Sequence, residues 1–179
     1  MSTYVALLRG INVSGRNRIP MADLRRMLGD LGHDDVETYL QSGNVTFRTR
    51  SATTKGLAAA IEHRIDSELG LNVAVLVRTQ RELETIAADN PFLGAQIDGK
   101  TLHVVFLEDP ATPAALADLE LDRYAPDELA AHGSEVYLSC PEGYGTTKLN
   151  NAFFERHLGT RATTRNWNTV TNLVELVRG

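Results

Sequence analysis

Apolar residues follow two rhythms along the chain, and the order of those rhythms occurs twice. Tyr4 to Leu8 is a short unbroken apolar run, read as a buried strand. Met21, Leu24, Leu28 and Leu31 follow at helical spacing, with Pro20 at a first helical position and Gly32 as the stop. Val36 to Leu40 and Val45 to Thr49 flank Ser42-Gly43-Asn44 and predict a hairpin. A helix from about Thr54 carries Leu57, Ile61, Ile65 and Leu69 on one face and ends at Gly70. Val73 to Val77 is the next strand. Thr79-x-x-Glu82 is a capping box that opens a helix bearing Leu83, Ile86 and Ala87. Asn90-Pro91 ends that helix, and residues 91–100 read as a linker.

The second pass begins with a strand from Leu102 to Leu107. Thr112-Pro113 caps and starts a helix with Leu116 and Leu119. Glu128 to Ala131 and Glu135 to Ser139 flank a second hairpin turn, His132-Gly133-Ser134. Thr147 precedes a helix with Phe153, Phe154 and Leu158, closed by Gly159. Ala162 to Arg165 is a short strand, and Asn168 or Thr169 caps a last helix with Val170, Leu173, Val174 and Val177. The expected fold is α+β, a tandem duplication of a ferredoxin-like βαββαβ(α) unit. Its sheets would be mostly antiparallel, with helices packed on them. The expected domains are 1–90 and 101–179, the second packed on the first, joined by the linker.

At 179 residues and 42% hydrophobic content, such a chain buries about 70% of its unfolded surface and needs no disulfide or metal for stability. Cys140 is the one cysteine, which suits a reducing compartment. No export signal precedes the first strand and no apolar stretch approaches a membrane span, so a cytoplasmic protein without a membrane partner is expected.

The net charge of −5 is uneven. Residues 80–132 hold three basic residues, Arg81, Lys100 and Arg123, against eleven acids. Residues 9–18 hold Arg9, Arg16 and Arg18 and no acid. Residues 147–168 hold Lys148, Arg156, Arg161 and Arg165 against Glu155. An acidic protein is not a general nucleic-acid binder, but two basic segments within it can form one anion site.

Four segments could carry chemistry. Arg9-Gly-Ile-Asn-Val-Ser-Gly-Arg-Asn-Arg18 precedes a helix, and its glycines could turn amides toward an anion; the alternative is a solvated loop. Gln41-Ser-Gly-Asn44 reads as a turn that needs Gly and Asn, although no turn requires Gln41. Gly143-Tyr-Gly-Thr-Thr-Lys148 lacks the Walker A spacing. Lys148 would sit in a first helical turn, where a cation costs about 0.3–1 kcal/mol and a bound anion would reverse the sign; the alternative is a lysine in solvent. Arg161-Ala-Thr-Thr-Arg-Asn-Trp-Asn-Thr169 includes Trp167 as a packing residue, while Arg165 and Asn166 could bind an oxyanion or a base edge. The five histidines are dispersed without metal spacing, and no cofactor is implied. A lone cysteine without a matched histidine is more often a small buried hydrophobe than a nucleophile.

Arg9-Gly-Ile-Asn-Val13, Ile19-Pro-Met21, Thr38-Tyr-Leu-Gln-Ser-Gly-Asn-Val45 and Thr164-Arg-Asn-Trp-Asn-Thr-Val170 together resemble the signature blocks of the bacterial domain of unknown function (DUF) family 1697. The resemblance implies two ferredoxin-like subdomains and no assigned activity. Ser14-Gly15 stands where that family usually has two glycines, and Cys140 is outside the family pattern.

The expected function is therefore binding of a small anionic, phosphate-bearing ligand in a cleft between the subdomains. The contacts would come from Arg9, Asn12, Arg16, Arg18, Gln41, Ser42, Asn44, Lys148, Arg165, Asn166 and Trp167, with no catalytic residue assigned and the enzyme question open. One alternative is a nucleic-acid-binding module, which the acidic charge disfavours. Another is a protein-interaction or assembly module. The chain would act as a monomer or homodimer.

Overall fold

The computed structural model describes residues 1–50, 52–94 and 98–179. The expected linker at 91–100 thus lies partly outside the described residues. The elements are β1 (Ser2–Leu8), α1 (Met21–Asp30), β2 (Asp34–Tyr39), β3 (Asn44–Thr49), α2 (Thr54–Leu69), β4 (Val75–Thr79) and α3 (Gln80–Ala88), followed by β5 (Leu102–Leu107), α4 (Pro113–Ala117), β6 (Glu128–His132), β7 (Glu135–Ser139), α5 (Asn151–Leu158), β8 (Ala162–Asn166) and α6 (Trp167–Arg178). Short 3-10 turns occupy Leu121–Tyr124 and Tyr144–Thr146.

The fold is α+β, with two four-stranded antiparallel sheets. The strand orders are β2-β3-β1-β4 and β6-β7-β5-β8. The chain divides into unit 1, Met1–Glu84 with Leu173–Gly179, and unit 2, Thr85–Asn172. The division falls inside α3 rather than at residue 90, and it assigns the last turns of α6 to unit 1. Within unit 1, Arg178 of α6 donates to Glu84 at 3.2 Å.

In unit 1, alternation along the strands directs Tyr4, Ala6, Leu8, Val45, Phe47, Val75 and Val77 to one core. Leu24, Met27 and Leu28 of α1 and Leu57, Ala58, Ile61 and Ile65 of α2 meet them there. Each buried Val, Leu, Ile, Phe or Met side chain among them contributes about 1.5–3 kcal/mol. The other face is buried too, with Val5, Leu7, Leu76 and Arg78. β2 is an edge strand with a register shift between Asp34 and Glu37 and Asp35 at φ 49. A bulged, acidic edge of this kind is a poor template for pairing with another chain.

The local signals in the sequence explain most element ends. Thr79 and Glu82 form the reciprocal capping box, Thr53 and Thr112 cap α2 and α4 through their side chains, and Gly70 and Gly159 end α2 and α5 in the left-handed conformation. Other boundaries differ, three of them as follows. Pro20 is the N-cap of α1 rather than its first residue. β4 starts at Val75 instead of Val73. α6 starts at Trp167, because the Asn166 Oδ1 accepts from the Thr169 amide at 2.8 Å and supplies the cap expected of Asn168 or Thr169.

In unit 2, Val105, Leu107, Val136, Leu138, Cys140 and Ala162 of the sheet region face Phe153 and Phe154 of α5. Two histidines sit beside these cores. His33 stacks on Phe47, and His103 stacks on Tyr144, each with ring centroids 4.6 Å apart. Burial lowers the pKa of both rings; Asp34 opposes the shift at His33, and a backbone hydrogen bond at Thr101 opposes it at His103. A lowered folded-state pKa means that the unfolded chain takes up the proton first as the pH falls. The stabilisation by the neutral rings is therefore complete above the ordinary histidine value of 6.5 and is lost as the pH drops through it toward the folded-state values. Urea midpoints should be lower at pH 5.5 than at pH 7.5, and the difference should shrink in His33→Leu. An unchanged difference in that variant would assign the pH dependence to other groups.

Candidate functional site

The segment between β1 and α1 is a small hairpin. The Asn12 amide donates to the Asn17 carbonyl at 3.1 Å, the Arg16 amide donates to the Val13 carbonyl at 2.9 Å, and Val13 and Arg16 form an antiparallel bridge. Ser14 and Gly15 at the tip have φ of 49° and 75°. Two left-handed residues in sequence make a type I′ turn, whose twist matches a two-residue hairpin. The amides of Asn12 and Arg16 are thus used within the loop, that of Arg9 goes to the Ala74 carbonyl at 2.9 Å, and that of Ile19 goes to the Asn12 side chain at 2.9 Å. Four amides of the segment are thus engaged within the fold, and the hairpin presents its side chains.

Asn12 fixes where that hairpin stands. Its Oδ1 accepts from the Ile19 amide, and its Nδ2 donates to the Ile19 carbonyl at 3.0 Å and to the Gln41 carbonyl at 2.8 Å. The third bond joins the hairpin to the β2–β3 turn. That turn is held by Asn44, whose Nδ2 donates to the Tyr39 carbonyl at 2.8 Å and to Ser42 Oγ at 3.1 Å. Gly43 lies against the same loop at φ +85°, and a Cβ there would stand 2.7 Å from Ile11 Cδ1 and 2.8 Å from Leu8 Cβ. Gly43 is therefore required by close approach as well as by its backbone angle.

The side chains this arrangement displays are cationic, polar and, unexpectedly, apolar. Arg16, Arg18, Gln41 and Ser42 are exposed and Arg9 is half-buried. Among the described residues the Arg16 and Arg18 side chains make no hydrogen bond or ion pair. By contrast, Arg25 donates to Thr38, Arg26 and Arg64 pair with Asp30 and Glu68, and Arg48 pairs with Asp35. Val13 is 56% exposed and Leu40 is 53% exposed. Leu40 also has φ 61°, a conformation that costs a residue with a Cβ about 1–2 kcal/mol. Neither exposure was legible from apolar patterning, which assigns such residues to a core.

The remaining expected contacts lie in unit 2. Lys148 is exposed in a bend ahead of α5, whose cap is Asn150, with Oδ1 accepting from the Phe153 amide at 3.0 Å. Lys148 is thus outside the first helical turn, and the expected electrostatic penalty there does not arise. Thr147 donates to Asp127 Oδ2 at 2.6 Å and accepts from the Leu149 amide instead of capping a helix. Arg165 is buried and donates to Thr163 Oγ1 at 2.9 Å and to the Thr164 carbonyl at 3.0 Å. Burial pushes its guanidinium down to about 10, opposed by Tyr144. Trp167 is buried, and Asn166 is engaged as the α6 cap. Cys140 is buried, and its thiol is pushed up to about 11 by burial and by Asp127, against a hydrogen bond with Thr147. Such a thiol is protonated at neutral pH and a poor nucleophile. Among the described residues no three His, Cys, Asp or Glu side chains are grouped to hold a metal ion, and no helix is long and apolar enough to cross a membrane.

A family model described as "Protein of unknown function (DUF1697)" matches residues 1–137, most of the chain. The chain belongs to the DUF1697 family. The match includes the hairpin loop and the β2–β3 turn, and the block at 164–170 lies beyond it. No curated protein matches. Among solved structures, the chain is similar to a conserved bacterial protein, SP0830 from Streptococcus pneumoniae, with 25% identity, a TM-score of 0.70 and 98% of each chain covered. Positions 14 and 15 are both left-handed, a conformation that glycine adopts without steric cost.

Two substitutions separate the roles of this loop. Asn12→Ala leaves two partly buried backbone groups and one exposed carbonyl without their partner and should cost about 2 kcal/mol in urea unfolding. Leu40→Asn should instead raise stability, by about 0.5–1 kcal/mol, because Asn tolerates the left-handed conformation. A loss of stability in Leu40→Asn would show that the exposed leucine serves the fold.

Proposed function

We propose that this DUF1697 chain binds a small phosphate-bearing anion on unit 1, at the surface made by the hairpin loop and the β2–β3 turn. The observation that carries the reading is the pair of exposed, uncommitted guanidinium groups, Arg16 and Arg18, on a loop that contains no acid and is anchored by Asn12. Guanidinium groups match phosphate with paired N–H donors, and an anchored loop loses little entropy when it binds. Gln41 and Ser42 add an amide and a hydroxyl on the turn that Asn12 joins to the loop. Arg9, half-buried at the base of the loop, adds positive charge. Lys148, Arg165, Asn166 and Trp167 remain candidates of unit 2, with Arg165 and Asn166 already hydrogen-bonded within it.

The two units also support a reading as a tandem duplication of a ferredoxin-like unit, since they correspond in register as well as in strand order. Val5 pairs with Arg78, and Val104 pairs with Arg165. The Leu8 amide donates to the Gly43 carbonyl, and the Leu107 amide donates to the Ser134 carbonyl. The Arg9 amide donates to the Ala74 carbonyl, and the Glu108 amide donates to the Arg161 carbonyl. The loops that follow have diverged. In unit 2, Glu108 stands where Arg9 stands in unit 1 and pairs with Arg161 at 2.7 Å. The loop after β5, with Glu108 and Asp109, is thus acidic where the loop after β1 is basic.

A thermal-shift screen of phosphorylated metabolites and nucleotides tests the reading. A ligand at a hundred times its dissociation constant adds about 2.7 kcal/mol to stability. That shift should vanish in the double variant Arg16→Ala/Arg18→Ala. Retention of the shift in that variant, or no shift with any phosphate compound, would remove the proposal.

A further inference from the structure

We infer that the anion bound at this tip is a nucleotide, with Val13 and Leu40 packing on the base while Arg16 and Arg18 hold the phosphates. The inference rests on the anion reading above and adds a second ligand part to it. Asn12 donates to the Gln41 carbonyl at 2.8 Å; Val13 follows the first of these residues and Leu40 precedes the second. Two aliphatic residues, each more than half exposed, are therefore the chain neighbours of one hydrogen-bonded link between the loops. Neither belongs to the unit 1 core. Leu40 in particular holds a left-handed backbone that Gly or Asn would adopt with less strain. Strain retained at an exposed position points to a role outside the fold.

The combination specifies the ligand class. Ligand sites pair apolar walls with a few placed polar groups. Here Val13 pairs with Arg16 across the hairpin, and the Gln41 amide and Ser42 hydroxyl can read a base edge. A polynucleotide fits less well, because a chain of net charge −5 repels a long polyanion, whereas a mononucleotide meets only the field of the loop. Two side chains are also too small a wedge for a lipid surface, which is held by a broad apolar helix face or by a cluster of basic residues.

Binding of ATP, GTP, CTP, UTP and inorganic tripolyphosphate to the full chain, at one salt concentration, tests this directly. At least one nucleotide should bind about tenfold more tightly than tripolyphosphate, the gain expected from covering part of two aliphatic side chains. Leu40→Asn should reduce that nucleotide to the affinity of tripolyphosphate, leave tripolyphosphate binding unchanged and not lower the melting temperature. Val13→Ser gives a second variant, so a folding defect in one leaves the test intact. The inference is overturned if tripolyphosphate binds as tightly as every nucleotide, or if the preference survives both variants. Binding of tripolyphosphate without that preference would leave the anion site standing, whereas no binding of any of the five would remove both.

Discussion

The Asn12 carboxamide accepts one backbone amide and donates to two backbone carbonyls, and the rest of the candidate site depends on those three bonds. They fix the hairpin at its base, set the entry to α1 at Ile19 and join the loop to the β2–β3 turn. Packing supports the same contact, since Gly43 has no Cβ and so admits Ile11 and Leu8. A loop bearing three arginines would otherwise be held apart by charge repulsion and chain entropy. Hydrogen bonds from a neutral side chain hold it without adding an acid that would cancel the field.

The absence of such an acid separates Arg16 and Arg18 from three other arginines of unit 1. Arg26, Arg48 and Arg64 are neutralised by Asp30, Asp35 and Glu68. Exposed pairs of that kind contribute little stability, but they do remove a cation from service. In unit 2 the pair Glu108–Arg161 does the same at the end of β5. The basic tip of unit 1 is thus a local feature of an acidic protein, and the net charge alone conceals it.

Much of the fold was legible because its signals are local. The hairpins, the capping box at Thr79 and Glu82, the Thr112-Pro113 start and the glycine stops each depend on a few adjacent residues. The α5 start was misread because Thr147 and Asn150 are both good caps, and Asp127, distant in sequence, takes the Thr147 hydroxyl. The end of α6 belongs to unit 1, which its apolar spacing could not reveal, since one stripe suits either unit. At the site, the arginines and Gln41 were legible by type. The hairpin itself was not, because Ser14 is an unusual choice for a left-handed position and the bond from Asn12 to the Gln41 carbonyl joins residues distant in sequence. Leu40 was counted as an ordinary strand end, and only its backbone angle and exposure set it apart.

The central claim is that the loop is an ordered hairpin anchored by Asn12, and amide hydrogen exchange measures that most directly. The Arg16 and Ile19 amides, bonded to the Val13 carbonyl and to Asn12 Oδ1, should exchange well below the rate of an unstructured peptide. In Asn12→Ala the Ile19 amide should lose its protection, while the Leu8 amide, which is bonded to the Gly43 carbonyl, keeps it. Exchange of the Arg16 and Ile19 amides at unstructured rates in the unaltered chain would contradict the account.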